Sequence, residues 1–140
     1  MLLTTFLQIL LTLSNTIALL PLISLYYHNR YFGSFLLSMI LVAAILKHGS
    51  ERKLKLPGLY LTRYARLFLR IYRFFAFVTF SYAIYLLLTN PNFKLQYIIM
   101  PAIGFIFLFK SEITYYRSQY ILYHLIWHFI VYTSIYIIIH

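Results

Sequence analysis

Residues 59–88 read LYLTRYARLFLRIYRFFAFVTFSYAIYLLL, a stretch that joins a basic half to an uncharged, apolar half. Its arginines recur at steps of three, four and three, so at about 100° per residue they share one helical face about 80° wide. Thirty helical residues are about 45 Å long, whereas the hydrocarbon core of a bilayer is about 30 Å thick. We therefore expect the apolar half to cross a membrane and the basic half to project beyond it or to bend along its surface. The four arginines are Arg63, Arg66, Arg70 and Arg73.

Composition supports the same class for the whole chain. Hydrophobic residues make up 63% of the 140 residues and charged residues 10%, whereas soluble proteins carry about 25% charged residues. The sequence therefore predicts an integral membrane protein. Its net charge of +10 is distributed between long apolar runs, which favours anionic lipid and acidic partner subunits over nucleic acid. The absence of cysteine excludes disulfides, thiolate metal sites and thiol catalysis.

Hydropathy divides the chain into five predicted transmembrane helices within one all-α, polytopic domain, residues 1–140. The first lacks the features of a cleaved targeting signal, and we expect it to be retained and to kink or end near Pro21. The second is short for a full crossing, and residues 47–58 after it form the one clearly solvated stretch. Pro101 and Gly104 are expected to kink the fourth. The predicted spans are residues 2–27, 32–46, 59–88, 93–109 and 116–139.

Charge asymmetry predicts the orientation. Outside the arginine helix, six lysines and arginines fall on the side that carries the N-terminus and residues 47–62, and two fall on the other side. By the positive-inside rule, the first side faces the cytoplasm or, in a mitochondrion, the matrix.

The arginine face has two overlapping interpretations. It is either ordinary charge next to a membrane or a docking surface for a cardiolipin-like lipid or an acidic neighbouring subunit. A voltage sensor would need acidic partners inside the membrane. Both glutamates, Glu51 and Glu112, lie in predicted loops.

The last predicted span carries a pair of histidines, His124 and His128, in the sequence YILYHLIWHFIVY at residues 120–132. Residues four apart share a helical face, so both imidazoles can reach one metal ion. A zinc site needs a third ligand, and hydrolysis usually needs a carboxylate as well. By topology, His48 is the histidine well placed on the cytoplasmic or matrix side, and His28 or His140 on the other, but no carboxylate lies in any predicted span. We therefore expect structural histidines, bonded to tyrosines or to a neighbouring chain, and no bound metal or cofactor.

These residues carry a local resemblance to a known family. YHLIWH in the last span, together with Ser38 and His48 around the second, resembles the ceramidase and adiponectin-receptor superfamily of membrane hydrolases. The resemblance covers about thirty residues and implies that His48, His124 and His128 are zinc ligands of a zinc-dependent hydrolase. The chain departs from that family in having about five spans instead of seven, a wider spacing between the serine and the histidine, and no aspartate in its third span.

Composition carries a second resemblance. Leu, Ile, Phe and Tyr dominate a chain with no Cys and no Asp, which resembles the small hydrophobic subunits encoded in A+T-rich mitochondrial genomes. That resemblance implies a non-catalytic accessory subunit of a respiratory-chain, electron-transport or ATP synthase complex in the mitochondrial inner membrane. Other membrane subunits and an anionic phospholipid such as cardiolipin would be its partners. The sequence favours this subunit role and leaves the zinc hydrolase as the alternative.

Overall fold

The computed structural model describes residues 2–89 and 94–139, and these form helices and connecting loops without a strand. Five of the helical segments are long and apolar enough to cross a membrane. This confirms the predicted all-α membrane class and the five spans. The helices are α1 (Leu2–Leu13), α2 (Leu19–Tyr27), α3 (Tyr31–Ser50), α4 (Ala65–Thr89), α5 (Gln96–Ile113) and α6 (Arg117–Ile139), and α1 and α2 together make the first span.

The first span changes its winding before Pro21 and then continues through it. A 3₁₀ segment, Ser14–Ala18, separates α1 from α2, and α2 includes Pro21. Proline lacks an N–H, so the carbonyl four residues earlier loses its helical donor, and tighter winding in that turn accommodates the loss. Three consecutive side chains, Ser14, Asn15 and Thr16, also donate to backbone carbonyls of the preceding turn. The irregularity therefore lies one turn earlier than the sequence predicts.

Helix α3 is longer than the predicted second span, residues 32–46, and ends only at Ser50. Residues 47–58 are solvated only in part, since Lys47, His48 and Ser50 are buried within α3 and Leu56 is buried in the loop after it, whereas Arg52 and Lys55 are exposed. The helix continues because its polar residues find partners inside the protein, among them the Glu51 carboxylate 3.6 Å from the Lys47 ammonium.

The arginine helix begins later than residue 59. Gly58 and Leu61 have positive φ angles of 71° and 49°, which no right-handed helix accommodates. A 3₁₀ turn at Thr62–Tyr64 then leads into α4. Arg63 therefore precedes the α-helix, whereas Arg66, Arg70 and Arg73 lie on it.

Helix α5 runs through Pro101 without ending and packs along α6. Gly104 makes this close approach possible, because a Cβ atom there would lie 3.1 Å from Ile130 and 3.2 Å from Trp127. Glu112, predicted to lie in a loop, lies in the last turn of α5. The start of the predicted fourth span, residue 93, lies outside the described residues.

The five spans form a bundle in which α3 and α6 are the most covered. Helix α3 packs against α1, α2 and α4, and α6 packs against α2 and α5. Helices α4 and α5 are the outer members and bury few of their apolar side chains. This arrangement places the end of α3 and the first half of α6 in the interior.

Candidate metal centre

Three histidines, one from α3 and two from α6, meet in the interior of the bundle. His48 is completely buried in the last turn of α3, and His124 and His128 are each 1% exposed on one face of α6. The centroid of the His48 ring lies 4.8 Å from that of His124 and 5.2 Å from that of His128. One ring nitrogen from each histidine lies within 4.8 Å of the other two. The structure thus brings together the three residues that the sequence offered as zinc ligands.

Each imidazole uses its Nδ1 atom for a hydrogen bond inside the protein. His48 Nδ1 lies 3.2 Å from Glu51 Oε2, His124 Nδ1 lies 3.1 Å from Ser111 Oγ, and His128 Nδ1 lies 2.7 Å from Ser14 Oγ. These partners come from the end of α3, the last turn of α5 and the 3₁₀ segment of the first span. The two histidines of α6 therefore bond serines, not the tyrosines expected from the sequence.

The partners fix which nitrogen carries the proton. The Ser111 hydroxyl donates to Leu108 O at 2.6 Å, and the Ser14 hydroxyl donates to Leu11 O at 2.7 Å. A hydroxyl has one hydrogen, so each serine accepts at its second contact and the imidazole donates. The Glu51 carboxylate likewise accepts from His48. His124 and His128 are consequently Nδ1–H tautomers with a free lone pair on Nε2. His48 Nδ1 lies 3.2 Å from the Glu51 carboxylate and 3.4 Å from Lys47 Nζ, and the closer, negatively charged acceptor favours the same tautomer there.

The three Nε2 atoms are buried and have no hydrogen-bond partner in the described part of the chain. Buried polar atoms without partners are rare because desolvation is costly. One water molecule donates only two hydrogens and leaves the third lone pair unsatisfied. A metal ion accepts all three at once, and three neutral imidazoles with an open fourth position suit zinc. Nitrogens bound about 2.1 Å from one ion are about 3.4 Å apart, so binding needs inward shifts of about an ångström.

Glu51 is held firmly beside this cluster. The Tyr120 hydroxyl donates to both carboxylate oxygens, at 2.8 and 2.9 Å. The Lys47 ammonium forms an ion pair with the same carboxylate at 3.6 Å. Its Nζ atom also lies 3.4 Å from His48 Nδ1. A carboxylate that accepts from a metal-ligating histidine orients its ring and raises its basicity, as second-layer partners of metal sites do.

The end of α3 keeps this shape because Gln8 of α1 bonds its terminal carbonyls. The buried Gln8 amide donates to His48 O at 2.9 Å and to Glu51 O at 2.8 Å, and its oxygen accepts from Gly58 N at 2.9 Å. The last carbonyls of a helix have no intrahelical donor, so such partners are needed where the helix end is buried in the protein. Tyr60 closes the same region by donating to Ile45 O at 2.6 Å, and burial raises the pKa of its phenol.

A cavity of about 830 Å³ lies beside the cluster, between α3, α4, α5 and α6. His124 forms part of its wall, together with Lys47 and Glu51. Most of the remaining wall is apolar, as in pockets that bind small organic molecules.

The other residues singled out in the sequence lie elsewhere. Arg63, Arg66, Arg70 and Arg73 are exposed, and no ion pair involves them within residues 2–89 and 94–139. Of the four, Arg73 also lines the cavity. Ser38 donates to Ser34 O at 2.9 Å, within α3 and ten residues before His48.

Four polar residues of the site were not identified from the sequence: Ser14, Gln8, Glu51 and Ser111. The available signal was their position, since Gln8 and Ser14 are polar residues within an apolar span, and such residues usually face the bundle interior.

Comparison of the chain with models of known protein families, with curated proteins and with solved structures gave no match. The comparisons therefore support neither the resemblance to the membrane hydrolases nor that to the mitochondrial subunits, and both stay predictions.

Proposed function

We propose that the protein is a zinc-dependent membrane hydrolase whose metal ligands are His48, His124 and His128. The observation that carries this proposal is the convergence of three buried, unpartnered Nε2 lone pairs, each fixed by a hydrogen bond on the opposite ring nitrogen. Structural histidines would have both nitrogens satisfied, whereas metal ligands show this one-sided pattern.

Three histidines with an open fourth position are typical of catalytic zinc sites. When bound, the ion would supply a water of lowered pKa and polarise the bond to be cleaved. Glu51 also lines the cavity, but it bonds His48 on the ring nitrogen opposite Nε2, so its role is to orient this ligand. The chain therefore offers the ligand set of a hydrolytic zinc site at the end of an apolar cavity.

Metal content of the purified protein tests the proposal. We expect about one zinc ion per chain after purification in detergent, and loss of at least nine-tenths of it in His48→Ala and His128→Ala. The control is His28→Ala, because His28 is exposed and outside the cluster. Hydrolysis of fluorogenic long-chain esters and amides is then measured on the same preparations and should fall with the zinc content.

Two results would contradict the proposal. One is wild-type protein that contains no zinc and takes none up when zinc is supplied. The other is a zinc content that His48→Ala and His128→Ala leave unchanged, since the ion would then be held elsewhere.

The accessory-subunit role is the second proposal, and the unpaired, exposed arginines favour it. Both carboxylates of the chain already pair with lysines, Glu51 with Lys47 and Glu112 with Lys53 at 2.9 Å. The complement of the arginine face therefore comes from outside the chain, as lipid phosphate or an acidic subunit. In this proposal the protein belongs to a mitochondrial inner-membrane complex, and residues 47–62 face the matrix.

Native purification tests the subunit role. We expect other membrane subunits and anionic phospholipid to copurify, and Arg66→Gln with Arg70→Gln to reduce both. A wild-type chain that purifies alone, or a double variant with unchanged partners and lipid, would count against it. The zinc content separates the two proposals, since a non-catalytic subunit predicts no stoichiometric metal.

A further inference from the structure

The cavity beside the histidine cluster is polar at one end and apolar along the rest of its length. Its charged lining residues belong to the last turn of α3, the segment that follows α3, the first half of α4 and the last turn of α5. These residues and His124 form the polar end of the cavity. Beyond them the wall continues along α4 as far as Leu87 and along α3 back to Leu37. Leu87 lies fourteen positions after Arg73 on α4. At a rise of 1.5 Å per residue, the apolar part of the cavity is therefore about 20 Å long.

The outer wall of the cavity reaches the lipid-facing surface. Phe77 and Phe80 of α4 and Ile98 and Phe105 of α5 line the cavity and are also exposed. The rings of Phe80 and Phe105 lie 5.3 Å apart and bridge the two helices. Because the outer surface of these spans is apolar, we expect the side of the cavity between α4 and α5 to face the hydrocarbon region of the bilayer.

Positive charge exceeds negative charge at the polar end. Its lysines, Lys47 and Lys53, are paired with Glu51 and Glu112, whereas Arg73 has no ion-pair partner within the described ranges. A divalent ion on the three histidines would add to this excess. A low-dielectric cavity with a positive end attracts an anionic group and excludes a cationic one.

We propose that the cavity binds a phosphate-bearing amphiphile that enters from the bilayer between α4 and α5, with its alkyl chain along the apolar wall and its phosphate at Arg73. The proposal rests on the proposed function in that the bound molecule would be the substrate of the zinc centre. A guanidinium is the side chain best suited to bind a phosphate. The buried Thr79 hydroxyl in the same wall has no partner in the described structure, and a carbonyl or hydroxyl of the amphiphile would supply one.

The single tryptophan of the chain, Trp127, lines the cavity and reports binding without any metal. We expect hexadecyl phosphate to change its fluorescence in a saturable manner, and hexadecanol or inorganic phosphate at equal concentration to do so at least tenfold less effectively. Arg73→Gln should raise the half-saturating concentration of hexadecyl phosphate about tenfold, and Arg73→Lys should raise it less. The matched control is Arg66→Gln, which removes an exposed arginine of the same helix that does not line the cavity, and it should change the concentration less than twofold.

Equal effects of Arg73→Gln and Arg66→Gln would overturn the proposal, because binding would then be due to general surface charge. Equal effectiveness of hexadecanol would remove the role of the phosphate, and equal effectiveness of inorganic phosphate would remove the role of the chain. Cobalt absorption provides the link to the metal site: in protein loaded with Co²⁺, hexadecyl phosphate should shift the visible spectrum. A fluorescence response in protein that binds no metal would contradict the proposed function and leave the amphiphile site standing.

Discussion

At the residue scale, the site depends on a few hydrogen bonds between parts of the chain that are far apart in sequence. His124 and His128 could be paired from their spacing alone, because residues four apart share a helical face. The bond between Ser14 and His128 joins residues 114 positions apart, and no local pattern indicates it. The bond forms because the 3₁₀ segment before Pro21 carries Ser14 to α6, a tertiary consequence that helical periodicity does not predict.

Ser14→Ala tests whether these bonds prepare the site for metal. The substitution removes the acceptor of His128 Nδ1–H, so the ring loses the contact that keeps Nε2 unprotonated and aimed at the other histidines. We expect zinc affinity to fall about tenfold, at the lower end of the effects seen for such supporting contacts. Competition with a chromophoric chelator measures the affinity.

Ser81→Ala is the matched control for that substitution. Ser81, like Ser14, donates to a carbonyl of the preceding turn, in this case Phe77 O at 3.0 Å, but it is exposed on α4. A similar loss of affinity in both variants would show that the Ser14 effect is general and not due to its contact with His128.

At the element scale, the sequence predicted the number of helices better than their ends. Five apolar runs translate directly into five spans because the bilayer sets their length. The predicted end of the second span, residue 46, is four residues before the end of α3. The prediction is too early because Lys47 and His48 are polar, and polar residues after an apolar run usually indicate a solvent-exposed segment. Both residues are instead buried, since Glu51 and the long-range contact with Gln8 satisfy the polar groups around them.

Gln8→Leu tests the role of that contact. The leucine is similar in size but leaves His48 O, Glu51 O and Gly58 N without their partner, and an unsatisfied buried group costs about 1–3 kcal/mol. We expect a loss of at least 2 kcal/mol in the free energy of unfolding, measured by denaturant titration in detergent micelles, together with weakened zinc binding.

The comparison variant is Gln119→Leu. Gln119 is exposed and accepts one bond from Thr114 Oγ1 at 2.9 Å. Its replacement should change the free energy of unfolding by about 0.5 kcal/mol or less. Equal losses in the two variants would mean that the end of α3 does not depend on Gln8.

At the scale of the whole molecule, the histidine cluster lies where several spans of the bundle meet. Its ligands lie on α3 and α6, and the side chains that orient them come from the first span and from α5. An ion bound there would connect four of the five spans through a single point. Helix α4 stands outside this set and borders the cavity.

Zinc should therefore stabilise the entire bundle. A ligand that binds only the folded state adds RT ln(1 + [L]/Kd) to the free energy of unfolding, about 4 kcal/mol at a free concentration one thousand times Kd. We expect zinc to raise the thermal unfolding midpoint of metal-free protein in micelles by several degrees, and a chelator to reverse the rise. In His48→Ala the rise should disappear, whereas His28→Ala should keep it. If both variants responded to zinc like the wild type, the stabilising ion would be bound at another position. The three histidines would then be structural residues of the bundle interior that bind no metal.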